Sequence, residues 1–495
     1  MVDAAALVGA LGAVFVLLAR RREPLLGGLA ALAAAEVLLA RDGGLALSAR
    51  LVAAGVVALA VFTGAAVLLR RARWLVLPLL LVAAPFRLPL DFGREHRFYV
   101  AIAHGGQLGR LLPLYAVLAV ATLALVWDCA VDAPVPAIAR EIALPAAAFL
   151  AFAALSLMWS SDTDSGRNLL EFFLLPFAVL VAVGGRAPFP DRIPRMLATL
   201  ALTLASLFAV VGIVEAATHR LIFYAHNLAV SNTYTSFFRV TSLFRDPSLY
   251  GRHVVLGLTV LVVCLWLRRI RLLPAALLEA ILWPGLYFSY SQSSLAALFV
   301  VVVAVTIVAA ERRVRWVAVA TAVVVALAGA GIAASKVADT SVRKATSDRS
   351  RRVELTAKVW VHHPLAGVGL GGQPRESQKL AERFAPLQSF VSHTTPLTVA
   401  AELGTVGFIL YVALLAGGAR ALDAVRRRHG ALGLGLAAVF LALFVHSLAY
   451  SGFFEDPITW LVLAAASAFL ARPLALPPPA APPVVEPRRE AIPAR

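Results

Sequence analysis

Residues 293–334 read SSLAALFVVVVAVTIVAAERRVRWVAVATAVVVALAGAGIAA, two long apolar runs on either side of the basic turn Glu311–Arg315. A helix needs roughly 17–25 predominantly apolar residues to cross the ~30 Å hydrocarbon core of a bilayer, and each run meets that length. Comparable runs recur outward in both directions, near 4–19, 25–40, 50–69, 74–90, 111–127, 142–158, 169–184, 196–216, 251–267, 272–288, 395–416, 431–449 and 457–471. Sixty per cent of the residues are apolar and the mean hydropathy is +0.83, well above the roughly 45–50% apolar content of soluble domains. Irregular backbone cannot face lipid, so each run is expected to be a helix. The expected fold is an all-α polytopic membrane bundle of about 12–15 transmembrane helices. It divides into an N-terminal membrane region (1–334), a large external loop (335–392), C-terminal membrane helices (393–472) and a proline-rich, disordered cytoplasmic tail (473–495).

Charge orients the bundle. Arg20–Arg22, Arg70–Arg73, Arg186–Arg195, Arg268–Arg271, Arg312–Arg315 and Arg420–Arg428 fall on one side of the alternating runs, which the positive-inside rule makes cytoplasmic. The N-terminus is then expected outside and the C-terminus inside. Ala4–Ala19 lacks a basic stretch before it and is followed by three arginines, so it reads as a retained first span. A formal net charge of +17 would suggest nucleic acid in a soluble protein; here it follows from topology, and no nucleic-acid partner is expected. Cys129 and Cys264 are too few for a disulfide framework or a metal cluster.

Two external segments break the charge rule. One, Ala217–Tyr250 continuing into Arg252, contains Arg220, Arg239 and Arg245, and reads RVTSLFRDPSLYGRHV from Arg239 to Val254. Its Asp-Pro is a turn signal that leaves Arg252 and His253 at the external end of a helix. The other is the long loop, which holds all four lysines of the chain together with Arg343, Arg349, Arg351, Arg352, Arg375 and Arg383. Long loops cross the membrane regardless of charge, so a solvated face or snorkelling arginines is the plain reading. External guanidinium groups also suit a diphosphate, which they grip through paired N–H donors.

Within the loop, Arg349–Val361 (RSRRVELTAKVWV) carries apolar residues at Val353, Leu355, Val359 and Trp360, a helical stripe suited to the membrane surface. GVGLGG at Gly367–Gly372 has G-x-G spacing, but no strand precedes it, so a flexible turn is expected rather than a dinucleotide site. His393 stands where the chain re-enters the membrane, with Glu402 about two and a half turns deeper. A histidine there suits a general base, with an ordinary pKa near 6.5, or a polar cap at the interface. Asp162 and Asp164 have the D-x-D spacing of metal-dependent transferases, yet lie in a short external turn where solvation accounts for them. Glu279 within a span should be paired or functional.

Taken in order, three blocks resemble the bacterial O-antigen ligase and O-antigen polymerase family of membrane glycosyltransferases. They are RVTSLFRDPS from Arg239, the arginine–amphipathic helix–HHPLAGVGLG stretch around Arg349–Gly371, and SHTTPLTVAAELGTVG from Ser392, with the Ser291–Ser294 span start between them. The resemblance covers roughly Arg239–Phe408 and implies a GT-C-like fold. It also implies a donor glycan on a polyprenyl diphosphate, a sugar, lipid or protein acceptor among membrane lipids, inversion at the anomeric carbon, and no metal or other cofactor. Carried over by position, His393 is the catalytic residue. Arg239, Arg245, Arg252, Arg349 and Arg352 are the candidates for the diphosphate, and Glu402 and His253 support. The chain departs from the family at Ser248, Thr394 and Ser294, the last standing where an arginine is usual. A transporter of lipid-linked sugars and a non-catalytic scaffold of envelope assembly are the competing readings. The first should show inverted repeats and broken helices in pairs, and no clear repeat is visible.

Overall fold

The structure is a computed structural model that describes residues 1–44, 48–86, 91–92, 96–97, 111–131, 133–222, 226–244, 246–339, 349–382, 387–450 and 452–472. Arg245, Arg343, Lys344, Arg383 and the tail after Arg472 lie outside them. Apart from the antiparallel pair Asp91–Phe92 and His96–Arg97, the described elements are helices.

The first half runs α1 (Val2–Leu18), α2 (Arg22–Asp42), α3 (Ala49–Arg71), α4 (Val76–Ala83), α5 (Leu112–Ala130), α6 (Arg140–Leu155), α7 (Thr163–Leu169), α8 (Leu175–Gly184) and α9 (Ile193–Thr218). A short α10 (His226–Tyr234) precedes α11 (Pro247–Trp266), α12 (Leu272–Ser289), α13 (Gln292–Ala309) and α14 (Arg312–Asp339). The long loop carries α15 (Arg349–His362) and α16 (Gln373–Leu380), and α17 (Thr395–Arg428), α18 (Gly430–Ser447) and α19 (Pro457–Leu470) complete the bundle. Among the described residues twelve helices are long and apolar enough to cross a membrane, and three shorter apolar ones, Val2–Leu18, Arg73–Ala83 and Pro457–Leu470, accompany them. The protein is a polytopic helical membrane protein.

Burial separates the helices by role. Every residue of α19 from Pro457 to Phe469 is buried, as expected of a helix that is apolar all round and central. The Arg312–Gly331 stretch of α14 has no buried residue, so its apolar side chains are left for lipid. The helices α9, α11 and α12 approach through glycine: Gly257 faces Ala205, Gly285 faces Ala209 and Gly212 faces the Tyr250 hydroxyl. Small residues at such contacts let membrane helices gain van der Waals packing where no hydrophobic effect drives them together. Where Pro176 has no N–H to offer the carbonyl of Phe172, the Tyr115 hydroxyl donates to that oxygen at 2.5 Å.

Contacts between loops far apart in sequence define two ends. At one, Arg70 and Arg73 both pair with Asp128, Arg192 lies over the Trp74 ring, and Arg472 meets Asp191. Arg186, fully buried there, donates to Ala182 O (3.0 Å) and Ala19 O (2.9 Å). One guanidinium thus closes the C-terminal ends of α8 and α1, where unpaired carbonyls concentrate negative charge; burial lowers its pKa to about 10. At the opposite end lie Asp42 with Arg167, Arg252 with Asp456, and the loop between α14 and α17. The basic turns therefore gather at one end, and the two segments that break the charge rule meet at the other.

Candidate active site

The floor of the site is a break in α17. Gly404 has φ +65° and ψ −169°, a combination essentially confined to glycine. The loop fills the gap this leaves: Thr405 N and Val406 N donate to Pro364 O (2.7 Å) and Leu365 O (3.2 Å), while Ala401 O and Glu402 O accept from Val368 N (3.1 Å) and Gly369 N (2.8 Å). Gly367, Gly369 and Gly371 all have positive φ. A Cβ at Gly369 would collide with the backbone of Ser160. The connection after α6 closes over the same loop, with Ser161 N donating to Val368 O (2.9 Å) and Ser160 Oγ to Leu370 O (2.7 Å). The expected flexible turn is instead a clasp, buried from Val368 to Gly372 and held by backbone hydrogen bonds, because its glycines permit backbone-to-backbone contact on two sides.

Glu402 belongs to this clasp, where the backbone N–H groups of Gly371 and Gln373 donate to its carboxylate. It thereby caps the start of α16 from the membrane side. Gln373 is fully buried and carries the geometry onward. Its Nε2 shares two protons among Thr356 Oγ1 (3.0 Å), Ser377 Oγ (2.8 Å) and Phe390 O (3.0 Å), and its Oε1 accepts from Ser392 N (3.1 Å). One side chain therefore ties α15, α16 and the strand of chain leading to His393. Nothing in the pattern of the sequence marks Gln373, since its partners come together only through the fold.

The amphipathic helix forms as expected, over Arg349–His362. Its buried side is Leu355, Thr356 and Val359, with Val359 and Trp360 packed on Val368 and Ala401 at the head of α17. Val353 and Val361 stay exposed, so the helix roofs the site rather than lying with its whole apolar stripe on the membrane. This places Arg352 against His393, where Nη1 donates to Nε2 at 2.5 Å. An arginine has no acceptor, so Nε2 contributes its lone pair and the proton of the neutral ring sits on Nδ1. That Nδ1 is buried and has no hydrogen-bond partner. Burial first, then the charges of Arg352 and Arg349, hold the His393 pKa below its ordinary value, with Asp246 pulling the other way.

Arg239 reaches the same end from the segment before α11. Asn232 fixes it by exchanging two hydrogen bonds with its backbone, at 2.9 and 3.1 Å, and Arg239 Nε donates to Ser289 O at 3.4 Å. Burial lowers its pKa, with the charge of Arg349 adding to the effect and Asp246 opposing it; an arginine stays protonated regardless. Beneath it, Glu215 accepts from Thr241 N (2.8 Å), Ser242 N (2.7 Å) and Ile222 N (2.7 Å), which sets the path of the RVTS stretch. Asp246 caps α11 through Ser248 N (2.7 Å) and Leu249 N (3.0 Å) and is hydrogen-bonded to Tyr450. The Tyr450 ring lies 6.4 Å from that of His393. Asp246 and Tyr450 thus join the site without having been expected there.

Other expected residues are placed elsewhere. Arg252 pairs with Asp456 at 2.7 Å with both side chains buried, and it also approaches Gly452 O at 3.5 Å. That pairing sets it apart from Arg349 and Arg352, which act on His393. His253 stacks on Phe244 at 4.6 Å and shares a 2.8 Å hydrogen bond with Leu249 O, a packing role. Ser294 is fully buried and lies 2.8 Å from Ser291 Oγ, in the hydroxyl cluster that caps α13. Asp162 is the N-cap of α7, accepting from Ser165 N at 3.2 Å.

Residues 277–412, about a quarter of the chain, match the family model described as O-Antigen ligase. No curated protein matches the chain. The matched stretch begins inside α12, ends inside α17, and contains Arg349, Arg352, Gln373, His393 and Glu402; Arg239 and Asp246 lie ahead of it and are brought in by the fold.

Proposed function

We infer that this chain, carrying a membrane-embedded domain of the O-antigen ligase family over residues 277–412, is a glycosyltransferase that uses a polyprenyl-diphosphate-linked glycan at the end of the bundle where Arg239, Arg349, Arg352 and His393 meet. The observation that carries this reading is the 2.5 Å contact of Arg352 with His393, with the charge of Arg349 felt both by His393 and by Arg239 from the segment before α11. Three arginines suit the two phosphates of such a donor, and a neutral imidazole beside them suits proton removal.

In the proposed reaction an acceptor hydroxyl attacks the anomeric carbon from the face opposite the diphosphate. The new glycosidic bond forms as the carbon–oxygen bond to phosphate breaks, with inversion, and the hydroxyl proton passes to His393. Negative charge grows on the departing diphosphate, where Arg239, Arg349 and Arg352 stabilise it most. These arginines supply the charge that a metal supplies elsewhere, so the reading needs none. Arg252 supports the wall through Asp456 rather than touching substrate. The basic end is cytoplasmic and the site external, by the positive-inside rule. A membrane-impermeant thiol reagent should reach Val361→Cys but not Arg313→Cys in sealed spheroplasts, and the reverse pattern would overturn the orientation.

The test is to supply purified protein in lipid with polyprenyl-diphosphate oligosaccharide and acceptor, and to follow free polyprenyl diphosphate. Wild type should release it in an acceptor-dependent way, and His393→Ala should slow release by about 10²–10⁴-fold, the usual contribution of a positioned base. Release by His393→Ala at the wild-type rate would sink the assignment of the base.

A further inference from the structure

Neutral His393 has one lone pair available to take a proton, on Nε2, and the structure shows it occupied. Arg352 Nη1 donates to it at 2.5 Å, while Nδ1, which must carry the ring proton, is buried without a partner. In this state the histidine cannot act as a base. Among the described residues, the charged or titratable groups facing it are Arg349 and Arg352 of α15, Asp246 ahead of α11, and Tyr450 after α18. Among the described residues the Arg352 guanidinium has no hydrogen bond besides that to His393, and its Nε has no partner. Its guanidinium is free to exchange one acceptor for a better one.

Resting on the transferase reading above, we propose that Arg352 is a latch on His393 which the donor diphosphate opens. A phosphate oxygen is an anionic acceptor, and charge-assisted hydrogen bonds are roughly twice as strong as that to a neutral ring nitrogen. Donor binding therefore draws Nη1 off Nε2 and frees the lone pair beside the acceptor hydroxyl. When the acceptor oxygen bonds to the anomeric carbon, its proton moves to Nε2, giving an imidazolium that later returns the proton to water. The same exchange neutralises the arginines by the diphosphate, removing the repulsion that opposes protonation of the ring. The base is thus withheld until a donor is present.

The sign of the pH effect follows. In the free protein, burial together with Arg352 and Arg349 holds the His393 pKa down; with donor bound, the added negative charge raises it. The acid limb of kcat/KM for donor, which reports the free enzyme, should lie at lower pH than the acid limb of kcat, which reports the complex, by about one unit or more. Arg352→Gln should lift the limb of kcat/KM and collapse the separation, a change that a purely structural role would not produce.

A second measurement does not depend on turnover. The NMR titration of His393, assigned by the signal lost in His393→Gln, should move to higher pH when wild-type protein binds sugar-free polyprenyl diphosphate. Arg352→Gln should begin higher and move less; Arg352→Lys, which keeps a charge, covers the case in which Arg352→Gln does not fold. Coincident acid limbs in wild type, or a histidine titration unmoved by polyprenyl diphosphate, would overturn the latch. Absence of donor turnover by wild type, with the NMR shift intact, would overturn the transferase reading and leave the latch standing.

Discussion

Gln373 ties together the chain on either side of Arg352 and His393, the two groups on which the proposed chemistry turns. Its amide holds Thr356, one turn along α15 from Arg352, and holds Ser392, the residue before His393. Removing it orphans the carbonyl of Phe390 and the N–H of Ser392, and a buried polar group left unpaired costs about 1–3 kcal/mol. Gln373→Leu, similar in volume, should lower stability by about 2–4 kcal/mol by that reckoning. It should also lower kcat by at least about tenfold, since small misplacements of reacting groups cost rate steeply, with the donor KM little altered. Denaturant unfolding and steady-state kinetics measure both. A variant with unchanged kcat would show that the distance between Arg352 and His393 is set elsewhere. No residue pattern identifies such a side chain in advance, because its four partners are drawn from three separate stretches of the chain.

At the scale of elements, the break in α17 and the glycine clasp are one device. The apolar run near 395–416 gives the helix but not its interruption, because a lone glycine is tolerated in many membrane helices. The Gly-x-Gly block and the Glu-Leu-Gly block were each visible as stretches of sequence. Their pairing, with loop N–H groups meeting Ala401 O and Glu402 O, is a tertiary fact. The positive φ values at Gly369 and Gly404, and the backbone each would strike, make Gly369→Ala and Gly404→Ala destabilising by about 3 kcal/mol or more, combining strain with steric collision. Gly329→Ala has open space about its Cβ and, in a helix, should be neutral or stabilising by up to about 1 kcal/mol. Thermal unfolding in detergent should rank the three this way. Tolerance of Gly404→Ala would mean that the helix can run straight without loss of the loop.

Over the whole molecule, the sequence makes the helical bundle, its basic end and the roofing helix legible, because hydrophobic length and arginine placement are local properties. It does not show that Arg252 is neutralised by Asp456, far along the chain, nor that α19, the shortest of the late apolar runs, is the most buried. Those depend on which helices become neighbours. The central claim is that the donor is handled by arginines at the end opposite the basic turns. Arg239 and Arg312 carry the same charge at opposite ends of the bundle, and Arg312 is exposed. The most direct measurement compares release of polyprenyl diphosphate by Arg239→Ala and Arg312→Ala in the same lipid. Arg239→Ala should lose about 10²-fold or more, as loss of one group stabilising transition-state charge does, while Arg312→Ala should stay within about twofold, as surface substitutions away from a site generally do. Equal loss in the two variants, or full activity in Arg239→Ala, would contradict the placement of the site.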